Sequence, residues 1–185
     1  MGKLILVTGD LATGKSTFAR MLSKRYGVSV FCKDVFKEVL GDTIGFHNRE
    51  ENLKLSVASG ALMRMILSEF IQLDRDLILE SNFRQAELDA LYNLADVAGY
   101  RVMTLRLQAD LQVLHPRFMH RLQHENRHPV HASGGFEEFD SFCEYILQQR
   151  QLFISGDFLT INADNFAYQT NPAILDRLDK FMSES

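Results

Sequence analysis

The sequence has no tryptophan, three prolines and two cysteines among its 185 residues, and each shortage narrows the field. Cys32 and Cys143 stand far apart and form neither a C-x-x-C nor a zinc spacing, so reduced thiols in a cytoplasmic setting are expected rather than a disulfide framework. No apolar run approaches the length of a membrane span, and the run Leu4–Val7 is too short for a signal peptide. Positive charge is not in excess either: the formal net charge is −4, which argues against long nucleic acid as a partner. There is no internal repeat, no low-complexity tract and no Gly/Ser-rich linker, so nothing divides the chain. A hydrophobic share of 46% and a charged share of 24% fit a globular protein, and one domain over residues 1–185 is expected.

What is present is concentrated near the start. Gly9, Asp10, Leu11, Ala12, Thr13, Gly14, Lys15 and Ser16 spell G-x-x-x-x-G-K-S, with Thr17 following, placed after the apolar run Leu4–Val7 and before a helical pattern. A triphosphate needs many donors converging on a small volume, and glycines let backbone N–H groups approach without a Cβ in the way. Lys15 would reach the β- and γ-phosphates, Ser16 would hold Mg2+ through its hydroxyl, and the positive end of the following helix favours the anion. Binding of a nucleoside triphosphate by Gly9–Thr17 is therefore expected.

Strand-like runs at 4–7, 28–31, 77–80, 101–107 and 158–161 alternate with segments of helical period, the pattern of a parallel sheet covered on both faces. The expected fold is an α/β, three-layer α/β/α P-loop NTPase with a five-stranded parallel sheet of nucleoside-kinase-like type and a helical lid at about 115–135. One helix is predicted over roughly 51–73, with Leu55, Ala58, Leu62, Met65 and Ile66 as its buried stripe. Another follows Gln85, with Leu88, Leu91, Leu94 and Ala95 inward and Gly99 as its stop. The turn Ser133-Gly134-Gly135 is the one obvious joint.

Asp34 follows the second strand and is expected at the carboxyl end of a strand neighbouring the phosphate loop, the edge where open α/β sheets bind ligands. There it could accept a proton from an attacking hydroxyl or help place magnesium; as a plain alternative it could cap a helix. The run Leu77–Glu80 ends in an acid in the manner of a second metal-associated motif, although aspartate is more usual there. Glu80 could act through a metal-bound water or on the substrate, and whether it or Asp34 dominates magnesium placement stays open. Ser81, Asn82 and Arg84 could face the same crevice or serve as ordinary loop and capping groups.

From His115 to His131 the chain carries three arginines (Arg117, Arg121, Arg127) and five of its six histidines against one acid, Glu125. A mobile lid with arginines here would neutralise charge developing on a transferring phosphoryl group. Arg117 and Arg121 lie one helical turn apart and share a face, while Pro116 should kink or restart the helix near His115. His120, His124 and His128 at i, i+4 spacing invite a zinc reading that no nearby cysteine supports; hydrogen-bond donation from a phosphate-facing lid is the simpler use.

The set Gly9–Ser16, Asp34, Leu77–Glu80 and an arginine-bearing lid before a fifth strand resembles the small P-loop kinases of the zeta-toxin, chloramphenicol phosphotransferase and polynucleotide-kinase-like group. The run from Glu125 to His131 looks like the lid motif of members of that group. The resemblance implies that Asp34 activates the acceptor hydroxyl, that Lys15 and Ser16 contact the triphosphate and magnesium, that Arg121 and Arg127 are lid arginines, and that Ile161–Asp164 lies where the adenine ring is held. It implies an ATP- and Mg2+-dependent kinase acting on a hydroxyl of a small molecule or nucleoside. Two other readings stay open: an ATP-binding or ATP-hydrolysing regulatory module, and a 5′-hydroxyl polynucleotide kinase. The absence of an Asn-Lys-x-Asp signature disfavours a GTPase. The acceptor and the oligomeric state are not legible.

Overall fold

The computed structural model describes residues 1–125, 127–131 and 135–184, so Ser133 and Gly134 of the expected joint lie outside the described residues. Five parallel strands form one sheet: β1 (Lys3–Gly9), β2 (Ser29–Cys32), β3 (Leu77–Glu80), β4 (Arg101–Gln108) and β5 (Asp157–Asn162), in the order β2-β3-β1-β4-β5. The helices of the described residues are α1 (Lys15–Tyr26), α2 (Lys33–Ile44), α3 (Arg49–Gln72), α4 (Gln85–Val97), α5 (Leu111–His124), α6 (Phe139–Arg150) and α7 (Pro172–Ser183). Among those residues no helix is long and apolar enough to cross a membrane.

The two-residue period of a strand explains how one apolar run serves two cores. In β1, Ile5 and Val7 face a cluster with Phe18 and Leu22 of α1, Leu114 and Phe118 of α5, Phe142 and Ile146 of α6, and Leu178 and Phe181 of α7. Leu4 and Leu6 face the opposite cluster, with Met63 and Leu67 of α3 and Leu88, Leu91 and Ala95 of α4. All five predicted strands are present within a residue or two of their expected limits.

Three expectations are corrected. First, β2 does not pair with β1; β3 stands between them. The sequences explain the choice, because every residue of Leu77–Glu80 is buried, whereas β2 exposes Ser29 and half-buries the next two, as suits an edge. Second, the inward face of α3 is Asn52, Leu55, Ser59, Gly60, Met63 and Leu67. Met65 is 54% exposed, and Ala58, Leu62 and Ile66 are only partly buried. The expected stripe followed apolar residues alone, but Gly60 lets the Glu87 carboxylate of α4 pack close, so a small residue outranks a large one there. Third, of the kink or restart expected at Pro116, the restart does not occur: α5 runs through it unbroken from Leu111 to His124. A proline removes the bond to the carbonyl four residues back, here that of Gln112, and both residues are exposed, so water can take the freed carbonyl.

The sheet register fixes the site. Val7 of β1 pairs with Glu80 of β3, which pairs with Cys32 of β2, so the phosphate loop, Glu80 and the start of α2 leave the same carboxyl edge together. Gly9 turns the chain out of β1 with φ 124°, where its hydrogen points at the Leu107 carbonyl of β4. Gly9→Ala should lower stability by about 2–6 kcal/mol, summing a strained dihedral and a backbone clash; a urea-denaturation midpoint within error of the parent would contradict this.

Candidate active site

The loop after β1 uses positive φ at Gly9, at Ala12 (59°) and at Gly14 (84°), which folds the backbone around a small hollow before α1 begins at Lys15. No acidic side chain stands in the first turn of α1, so the positive end of this helix is not neutralised from within. Thr13 donates to the Asp10 carbonyl at 2.8 Å, and Tyr168 donates to the Thr13 carbonyl at 2.8 Å. Tyr168 reaches the loop from the short 3₁₀ turn Phe166–Thr170, and its ring packs edge-on against Phe18.

In front of the loop lies a cavity of about 550 Å³ lined by Leu11, Ala12, Gly14, Lys15, Ser16 and Thr17, with Arg20 farther along α1. Its other walls come from Cys32, Asp34, Val35 and Glu38 at the start of α2, from Glu80 and Asn82 after β3, and from Arg121, Glu125, Arg127, His128 and His131. Phe166 also lines the cavity. Gly9 and Asp10 line a much smaller neighbouring void instead, and Thr13 is fully buried within the loop.

Lys15 is only 8% exposed and donates to the Asp10 carbonyl at 2.6 Å. Burial pushes its ammonium below the usual lysine value, an effect opposed by Glu80, Asp34 and Asp10 and reinforced by Arg121. Glu80 is buried still more fully, and burial raises its carboxyl above the ordinary range; Lys15 opposes that rise and Asp34 adds to it. Ser16 donates to Glu80 at 2.9 Å. Cys32, buried beside Glu80, has its thiol pushed up to about 12, first by burial and then by that carboxylate. Asp34 is exposed to the cavity in the first turn of α2, whose cap position is Cys32, so Asp34 is not the helix cap.

The basic segment divides. Arg121 faces the cavity and pairs with Glu125 at 3.1 Å, and Arg127 lines the same wall, its guanidinium lowered by burial and then by Arg121. Arg117 is drawn elsewhere: it donates to the carbonyls of Ala163 and Asp164 at 2.8 and 2.6 Å and lies over the Phe166 ring, so the expected shared face with Arg121 is not used. Of the run Ile161–Asp164, none lines the large cavity. His120 and His124 stack on the exposed side of α5, whereas His128 and His131 reach α2, at 2.9 Å from Asp42 and 2.9 Å from Glu38. Among the described residues no three His, Cys, Asp or Glu side chains cluster as metal ligands, and the zinc arrangement is not formed.

Residues that the sequence did not single out hold this wall in place. Val130, 1% exposed, packs against Gly41, and its carbonyl accepts from Lys37 and Asn52 at 3.0 Å each. The signal for Val130 was an apolar residue amid polar ones, which carries no address for its partner. Lys33 forms a buried ion pair with Glu87, whose other oxygen accepts the Arg84 N–H, so α2 is tied to α4 next to Asp34. Asn82 reaches the cavity, Ser81 is buried with its N–H on the Val7 carbonyl, and Arg84 caps α4.

No known family model matches the sequence, and no curated protein matches it. Solved structures do. A candidate kinase from Chloroflexus aurantiacus superposes with a TM-score of 0.83 at 26% identity, covering 99% of each chain. Shikimate kinase from Bacteroides thetaiotaomicron gives 0.56 at 16% identity over 98% of this chain and 99% of that one. The APS kinase of Mycobacterium tuberculosis, solved in complex with AMPPNP and APS, gives 0.58 at 14% identity over 96% and 98%. The class defined by the sheet order and the loop is the P-loop α/β proteins. Within it, the chain has the fold of the small P-loop kinase superfamily.

Tyr168→Phe keeps the ring packing and removes the donor to Thr13, leaving a loop carbonyl unpaired. The expected cost is about 1–2 kcal/mol, read from urea unfolding; a variant as stable as the parent would show that the phenol does not brace the loop.

Proposed function

We propose that this protein is an ATP-dependent phosphotransferase that moves the γ-phosphoryl group to a hydroxyl of a small molecule or nucleoside. The single observation that carries the reading is that one cavity gathers the phosphate loop with Lys15, a solvent-facing carboxylate at Asp34, and two guanidinium groups, Arg121 and Arg127. Residues 1–185 then act as one kinase-like unit, with a lid at about 115–135.

Each residue has a task set by its position. Backbone N–H groups from Gly9 to Thr17 and the start of α1 cradle the phosphates, and Lys15 exchanges the Asp10 carbonyl for phosphate oxygens. That exchange replaces a neutral carbonyl with an anion in direct contact with the buried ammonium and raises its affinity for the proton. Ser16 and Glu80 offer a hydroxyl and a carboxylate oxygen 2.9 Å apart, a hard-oxygen pair that suits Mg2+. When bound, Mg2+ would offset negative charge on the phosphate oxygens.

Asp34 takes the proton of the acceptor hydroxyl as its oxygen bonds to the γ-phosphorus and the bond to the ADP oxygen breaks. Arg121 and Arg127 line the same cavity and balance the charge spreading over the transferring group. The docking of Val130 onto α2 and α3 supports a lid that covers the acceptor end and limits water there.

A screen of hydroxyl metabolites, nucleosides and aminoglycoside-like or phenicol compounds for ADP production identifies the acceptor. With it, Lys15→Ala is expected to abolish both nucleotide binding and transfer. Asp34→Ala should retain Mg·ATP binding while transfer falls by about a hundredfold or more. Transfer by Asp34→Ala near the parent rate would remove Asp34 from the reaction, and ATP turnover without a phosphorylated product would favour a regulatory module.

A further inference from the structure

Asp10 is the second residue of the phosphate loop, and its side chain is 2% exposed. A carboxylate buried beneath a site for a polyanion is a liability unless something offsets its charge. Arg150 does so: its Nε lies 3.2 Å from both Asp10 oxygens, and its Nη2 lies 2.6 Å from Oδ2. The Ala109 N–H donates to the same Oδ2 at 3.2 Å, and Arg150 returns a bond to the Ala109 carbonyl at 2.5 Å.

The positions of these partners in the chain matter. Ala109 lies just before Asp110, the cap of α5, and Arg150 is the last residue of α6. Everything between them, including Arg121, Arg127 and Val130, leaves the sheet at one of these points and returns at the other. Both roots of that excursion therefore meet on one side chain of the phosphate loop. The backbone carbonyl of the same Asp10 holds Lys15 and Thr13.

We propose that Arg150 is a positioning residue for the phosphotransfer site, neutralising Asp10 beneath the loop and fastening both roots of the lid to it. This rests on the nucleotide-binding reading above. Two effects follow and can be separated. The charge effect requires only that Asp10 be offset or removed. The fastening effect requires the planar guanidinium, which alone can hold the carboxylate and the Ala109 carbonyl together.

The test measures the affinity of Mg·ATP, by displacement of a fluorescent ATP analogue, and ADP release at saturating ATP. The proteins are the parent, Arg150→Met, Arg150→Lys and Asp10→Asn/Arg150→Met, each checked for folding by circular dichroism. Arg150→Met should weaken affinity about tenfold or more, and adding Asp10→Asn should return it to within about threefold of the parent. Arg150→Lys keeps the charge, so its affinity should stay within about threefold while ADP release falls in all three variants. A double variant no better than Arg150→Met, or an Arg150→Met protein that matches the parent in both readouts, overturns the proposal. If Arg150→Met does not fold, the lysine variant decides: parental ADP release overturns the fastening role, and reduced release at retained affinity supports it. A parent protein that binds no Mg·ATP refutes the underlying reading instead, and the proposal falls with it.

Discussion

The turn from β1 into α1 is the constraint on which the rest depends. Three residues with positive φ bend the backbone, a helix begins without an acid in its first turn, and a lysine is buried where its charge is poorly solvated. Each feature costs stability when taken alone. Together they make a hollow at the carboxyl edge of the sheet where a helix start and a buried lysine meet, with Glu80 and Asp34 partly offsetting the lysine charge. The burial that lowers the Lys15 ammonium also makes an incoming anion worth more to it than the same contact in water.

The surroundings are arranged so that this hollow does not collapse. Tyr168 braces the loop from one side, the Asp10–Arg150 pair from beneath, and Ser16–Glu80 from the front. Glu80, raised by its own burial, and Lys15, lowered by its own, moderate one another across the site. The wall from Arg121 to His131 is held by docking Val130 against a glycine and by side chains of α2 and α3, so its position depends on helices that also frame Asp34.

Much of the fold was legible because it rests on local signals. The five apolar runs, the glycine at the end of α4 and the phosphate-loop spacing each declare themselves within about ten residues. What escaped depends on contacts distant in sequence. The place of β3 between β1 and β2 is decided by how completely each strand can be buried, and the inward face of α3 by a glycine that admits Glu87. The site followed the same division: Gly9–Ser16 is visible in eight residues, whereas Tyr168, Arg150 and Val130 act on partners tens of residues away and have no spacing to betray them. Arg117 and Arg121 looked equivalent on the helix, yet two backbone carbonyls capture one and leave the other to the cavity.

The central claim is that this hollow accepts a triphosphate, and the most direct measurement is calorimetric titration of the intact protein with Mg·ATP, with inorganic sulfate as a control for simple anion binding. Saturable uptake of one nucleotide per chain that sulfate does not reproduce is the outcome the account predicts. Correctly folded protein that takes up no ATP, or that responds to both anions alike, would contradict it.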